Sequence, residues 1–360
     1  MSRTTSSTTA RSATPSTMES SMMSPSQGLE PINVAADGDV YLVCDEPAVK
    51  IRVSSFILTR ASTEFAVRLT PHFIAGSVKP DHPVEIPLPA DSYGAMRDLC
   101  DLLHGNTITG VSGPKAAARI YKIAVVIDKY RCTKILDLQA QGLLLGYWDK
   151  YGQGNLILSA LSRMAAAAYL LDQARGFSLA THHMIVGTAE LYSGLLKPDH
   201  DHIFSVDTML ALEEKRAAAQ AKIAYRLPQL GMPICSFYDD ESEDDMGDRQ
   251  NACDNWEGSY HRAMCKTFGV NFWPPSFQPS KDAPDANLTL SNAIEFIRTM
   301  GDCRFEKPTC IHTGERKGVS SSKLRDFAKE VERMCDGLCL GCVAEGTSAV
   351  KLKEKCLRHV

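Results

Sequence analysis

From Asp37 onward the apolar positions of DGDVYLVC and then of VKIRVS predict two short strands. Asp45, Glu46 and Pro47 supply the turn between them. The period then lengthens. In SSFILTRASTEFAVRL the apolar residues Phe56, Ile57, Leu58, Phe65, Val67 and Leu69 fit two short helices. They break at Ala61-Ser62-Thr63, where Ser62 is a natural N-cap. VEIPLP (84–89) predicts a third strand, ended by its prolines. DSYGAMRDLCDLLH (91–104) predicts a helix with Tyr93, Met96, Leu99, Leu102 and Leu103 on one face, capped by Asp91 or Ser92 and stopped at Gly105-Asn106.

Helical spacing continues over 114–130 and 133–148. Residues 155–196 are rich in Ala and Leu and helical throughout, with Gly176 as the expected break. Residues 207–226 form a further helix that Asp207 would cap. The last part contains helices near 288–300 and 321–338. The predicted class is α+β, a short sheet capped by helices followed by a mostly α-helical C-terminal region.

Two segments fall outside this pattern. Of residues 1–30, 15 are Ser or Thr and none is aromatic, too little apolar surface to offset chain entropy. A disordered tail is expected there, solvated or open to phosphorylation. Residues 239–248, DDESEDDMGD, carry seven acids and no base, expected as part of a solvated acidic loop over 236–252 or as an acidic docking patch.

Composition narrows the class further. The chain has 360 residues, 44% hydrophobic and 23% charged, which is ordinary for a globular protein with a real core. No run reaches the roughly 20 apolar residues of a spanning helix, and the first thirty lack the apolar stretch of a secretory signal. A soluble intracellular protein of the cytoplasm or nucleus is therefore expected. Its twelve cysteines then read as reduced thiols, some of them candidate metal ligands. A net charge of −4 leaves no overall basic footprint for nucleic acid.

The phrases GDVYLV, IRVSSFILTRASTEF, PHF, VEIPLP, AMRDLCDLLH and IAVVIDKYRC fall in one order across about a third of the chain. On them, residues 37–150 resemble a BTB/POZ domain, in wording closest to the fungal-type branch of that family. The resemblance implies a protein–protein interaction module that forms homodimers and, in some members, serves as the substrate adaptor of a cullin ubiquitin ligase. Residues 155–230 then match the helical extension that many members carry.

Two partner-binding positions follow from the resemblance. Asp39 corresponds to the acid near the dimer interface of many members, but its usual basic companion is replaced here by Ser54-Ser55. A buried carboxylate without a partner is costly, so Asp39 is expected to be exposed or hydrogen-bonded to backbone. In cullin-binding members an apolar residue is followed two positions later by Glu; here the stretch is Phe73-Ile74-Ala75 and the Glu is missing. Phe73 remains either an apolar anchor for a partner's pocket or a core residue.

The Cys-rich region 253–360 contains CIHTGER (310–316), which has the wording of a zinc-finger linker. No C-x2-4-C lies the required dozen residues before His312, and Pro308 stands where the spacing asks for a ligand, so a DNA-reading finger is excluded. A different set remains. Cys339-x2-Cys342, with Gly341 easing the turn, could grip structural zinc together with Cys310 and His312, Cys303 standing in reserve. Equally, Leu324, Phe327, Val331, Cys335, Leu338 and Cys342 follow helical spacing, which would make the cysteines small core residues.

No nucleophile elbow, phosphate loop, HExxH or dinucleotide glycine motif occurs, so an enzyme is not expected. His182-His183 sit side by side on a predicted helix and point apart; His200 and His202 lie in the polar loop string PDHDH. An interaction scaffold, or a cullin adaptor as its alternative, is the functional expectation; a transcription regulator comes third.

Overall fold

The computed structural model describes residues 30–46, 48–76, 79–152, 154, 156–196, 205–231, 289–302 and 321–344. Within them the protein is mixed α+β, mostly helical, with one small sheet. The strands are β1 (Ile32–Asn33), β2 (Val40–Glu46), β3 (Ala48–Val53) and β4 (Val84–Ser92), in the order β1-β3-β2-β4. β2 and β3 form an antiparallel hairpin, while β2–β4 and β1–β3 are parallel. Successive side chains point to opposite faces, and one face is inside: Val40, Leu42, Cys44, Val49, Ile51 and Val53 are all buried.

β4 runs to Ser92 and is not ended by its prolines. The sheet order places it at an edge, where a missing N–H on the outer side breaks no ladder, so Pro87 pairs with Val43 in register. The shift in register between Cys44 and Glu46 absorbs the rest of the mismatch.

Helices α1 (Ser55–Ala61) and α2 (Thr63–Ile74) turn a corner at Ser62, as the spacing predicted. α3 (Tyr93–Leu103), α4 (Ala116–Lys129) and α5 (Asp137–Tyr151) complete the first unit. Ser92 precedes α3 without a side-chain cap bond, and Asp91 does not cap it either. Asp91 is buried and accepts from Tyr130 Oη at 2.7 Å and Lys129 Nζ at 2.6 Å, joining the end of β4 to the end of α4. Asp98 accepts both nitrogens of one edge of Arg119, at 2.7 and 2.8 Å, and so fastens α3 to α4.

Beyond this unit lie α6 (Leu158–Leu170), α7 (Ala174–Gly187), a short 3-10 turn (Tyr192–Leu196) and α8 (Val206–Gly231). The break expected at Gly176 falls instead at 171–173, where Asp172 takes a left-handed conformation. Gly176 lies inside α7, where a Cβ would come within 3.0 Å of Leu144 on α5; the glycine serves close packing. Ser205, not Asp207, caps α8, its hydroxyl accepting from Thr208 N. The C-terminal helices α9 (Leu290–Asp302), α10 (Ser321–Met334) and α11 (Leu340–Ala344) pack on one another and on α7 and α8. Buried apolar residues form a continuous cluster from Val40 in β2 to Leu340 in α11. Among the described residues no helix is long and apolar enough to cross a membrane.

Candidate interaction surfaces

The strongest functional geometry is the α1–α2 corner. The Ser62 hydroxyl accepts from Phe65 N at 3.1 Å, capping α2, and donates to the Tyr130 carbonyl at 2.6 Å. Phe65 stacks on the Tyr130 ring, centroids 4.4 Å apart and 9° from parallel. Burial raises the Tyr130 phenol well above its usual range, and the hydrogen bond to Asp91 adds to this, so it stays protonated and donating. The corner is thus fixed from below onto the end of α4.

Its outer side carries several exposed apolar residues. Phe56 is 71% exposed, Val67 73%, Phe73 44% and Ile74 84%. Thr63, Val67, Thr70 and Ile74 recur at spacings of four, three and four, so they share one exposed stripe of β-branched side chains along α2. Of the apolar residues whose spacing predicted the two helices, Leu58, Phe65 and Leu69 are buried, while Phe56 and Val67 face outward.

Asp39 is partly buried, and its carboxylate accepts from Ser55 N at 2.7 Å and from Ser55 Oγ at 2.6 Å. It therefore holds the N-terminus of α1, where an anion is favoured by the free N–H groups and the helix dipole. The expectation that Asp39 would find backbone is met, and Ser55 itself, one of the two residues replacing the basic pair, is the partner. Phe73 sits in the last turn of α2 and is not a core residue. Asp39 and Phe73 serve opposite ends of the α1–α2 unit.

The metal set is only partly visible. Cys303, Cys310 and His312 lie outside the described residues, as do residues 1–29, the acidic stretch 239–248, His200 and His202. Cys339 precedes α11 and Cys342 lies within it, 9% exposed; Cys335 and Leu338 are buried as well. Among the described residues no three His, Cys, Asp or Glu side chains come together as a metal site. Burial pushes the Cys132 and Cys335 thiols up to about 11, which keeps them protonated at neutral pH.

His182 and His183 do diverge on α7. His182 Nδ1 donates to the Cys335 carbonyl at 2.9 Å, while His183 stacks on Trp148 with centroids 4.9 Å apart. Burial, with His182 beside it, lowers the affinity of His183 for a proton. Neither the stripe on α2 nor the contacts of α7 with residue 335 was named from the sequence. The stripe could have been found by asking which helical positions lie opposite Phe65 and Leu69; the α7 contacts span over 150 residues and leave no local signal. Comparisons of the chain with protein-family models, with curated proteins and with solved structures return no match.

Proposed function

We propose that the chain is a non-enzymatic interaction scaffold of the BTB/POZ kind, acting in the cytoplasm or nucleus, and that it self-associates through the outer surface of α1 and α2. The observation that carries this is the exposed stripe Thr63-Val67-Thr70-Ile74 on α2, with Phe56 also exposed on α1. Contiguous exposed apolar surface is costly in water and marks an association site more often than it marks nothing. The buried Ser62–Tyr130–Asp91 network supports the same reading, because a rigid platform loses little entropy on docking.

The test is sedimentation of the wild type beside Val67→Asp. Val67 is exposed, so its replacement leaves folding within about 0.5 kcal/mol. A charge in the middle of a self-complementary apolar contact is expected to weaken the dimer by about 10- to 100-fold. A variant that sediments like the wild type, with both dimeric, removes α2 from the interface; a monomeric wild type removes the proposal.

A second reading, substrate adaptor of a cullin ubiquitin ligase, is favoured by the half-exposed ring of Phe73 at the end of α2. An aromatic side chain there is available to fill a partner's pocket. Cullin captured by the wild-type chain and lost with Phe73→Ala supports it; no cullin in either leaves the scaffold reading alone.

A further inference from the structure

Helix α5 is apolar on two sides. Its inner side carries Ala140, Leu144, Tyr147 and Trp148, all buried. On its outer side Leu138 is 76% exposed and Leu145 36%, and Ile135 in the turn before the helix is 52% exposed. Ile135, Leu138, Gly142, Leu145 and Asp149 recur at spacings of three, four, three and four, the pattern of a seam that packs on another helix. A surface helix ordinarily turns charged and polar residues to water on that side.

The glycines of this face have no use inside the fold. Gly142 and Gly146 stand one turn apart on the exposed side of α5. Glycine in the middle of a helix is less stable than alanine, so it persists where something needs the space. At Gly176 the need is internal, since a Cβ there would meet Leu144. At Gly142 and Gly146, apart from the helix's own backbone, no atom of the described residues lies within 4 Å of where a Cβ would stand. α5 therefore forgoes stability to keep its backbone open beside two exposed leucines.

We propose that the outer face of α5 is a second self-association surface, which pairs antiparallel with α5 of another copy of this chain. The face is complementary to itself in shape and in charge. With the two-fold axis level with residues 143 and 144, Leu145 of each copy fills the space over Gly142 of the other, and Leu138 lies against the turn carrying Gly146 and Asp149. The same arrangement brings Lys134 of each copy within one turn of Asp149 of the other, both exposed. A parallel pair would instead set Asp149 against Asp149 and Lys134 against Lys134. One helix pair falls short of the roughly 1,600 Å² of a standard interface, so the contact is weak and concentration-dependent. It is separate from the contact on α2 and, where both form, links one dimer to the next.

The test is sedimentation of the full chain over a concentration series in a Val67→Asp background, where α2 no longer contributes. That background is expected to dimerise reversibly as concentration rises. Adding Gly142→Gln and Gly146→Gln fills the space between the copies and is expected to weaken the dimer at least about tenfold. The thermal midpoint should stay or rise, because glutamine is the better helix former. Asp149→Lys is expected to weaken the dimer at least about threefold, and Lys134→Glu added to it to restore the affinity. Both charge changes suit the helix dipole, so the swapped chain keeps its fold. A background chain that stays monomeric overturns the proposal, as do glycine variants that associate like the background. A charge swap that restores nothing overturns the antiparallel pairing. Failure of α2 as an interface reads differently: the Val67→Asp chain then associates as tightly as the wild type, and the glycine variants alone weaken it.

Discussion

Replacing Ser62 by alanine removes one hydroxyl that makes two buried bonds. The first caps α2 at Phe65 N, and an N-cap serine is worth about 1 kcal/mol. The second reaches the Tyr130 carbonyl at 2.6 Å across 68 residues of sequence. Without it that carbonyl keeps only the Cys132 thiol, a weak donor at 3.4 Å, so a further loss of about 1–2 kcal/mol is expected. Together Ser62→Ala should destabilise the domain by about 2–3 kcal/mol, a large share of an ordinary domain's net stability. Unfolding followed by circular dichroism in urea measures it, and the midpoint should fall with little change in slope. Ser62→Thr, which keeps a hydroxyl, should retain most of the difference. Because Phe65 stacks on Tyr130, loosening this corner should also weaken self-association, although Ser62 itself is buried away from the stripe. A loss under about 0.5 kcal/mol would refute the claim that the corner is anchored through Ser62.

Other outcomes follow from the same geometry. Arg119→Ala leaves the Asp98 carboxylate buried without its bidentate partner and should cost about 2–3 kcal/mol, less than a fully enclosed pair because the guanidinium is partly in water; thermal unfolding checks it. His183 binds its proton below the ordinary value of 6.5 in the folded chain, because burial disfavours the cation. The unfolded chain is then protonated first as pH falls, so this stability is fully present above about 6.5 and is lost below it. Urea midpoints taken from about pH 7.5 to about pH 5.5 should drop less for His183→Gln than for the wild type. Zinc held by Cys310, His312, Cys339 and Cys342 would appear as one equivalent per chain by elemental analysis and would be lost in Cys339→Ser; metal-free protein of unchanged stability instead makes Cys342 a core residue.

Much of the fold was legible because the local signals agree with one another. Val40 to Cys44 form a short β-prone run, and Ser62 stands where two helical patterns meet, so strand, cap and corner could be read from a few residues each. What failed were inferences about partners. Asp91 has the right chemistry to cap α3, but a buried Tyr130 and Lys129, 39 and 38 residues away, compete for its oxygens and win. Pro87 is a strand breaker only in a strand paired on both sides, and the sheet order that makes β4 an edge is not a local property.

The candidate site shows the same limit from the other direction. Helical periodicity identifies where apolar residues fall around a helix, but burial depends on how many faces the fold covers. Phe56 and Val67 look like core residues because apolar residues usually are, and here only the side of α1 and α2 that carries Leu58, Phe65 and Leu69 joins the buried core. The surplus apolar positions are then left in water, at about 1.5–3 kcal/mol each relative to burial. Such surplus is what selection against aggregation would remove unless something covers it, so the mismatch between the apolar pattern and its burial is itself the functional signal. It distinguishes α2, which should be covered by a second copy, from α10, whose apolar stripe the chain already covers itself.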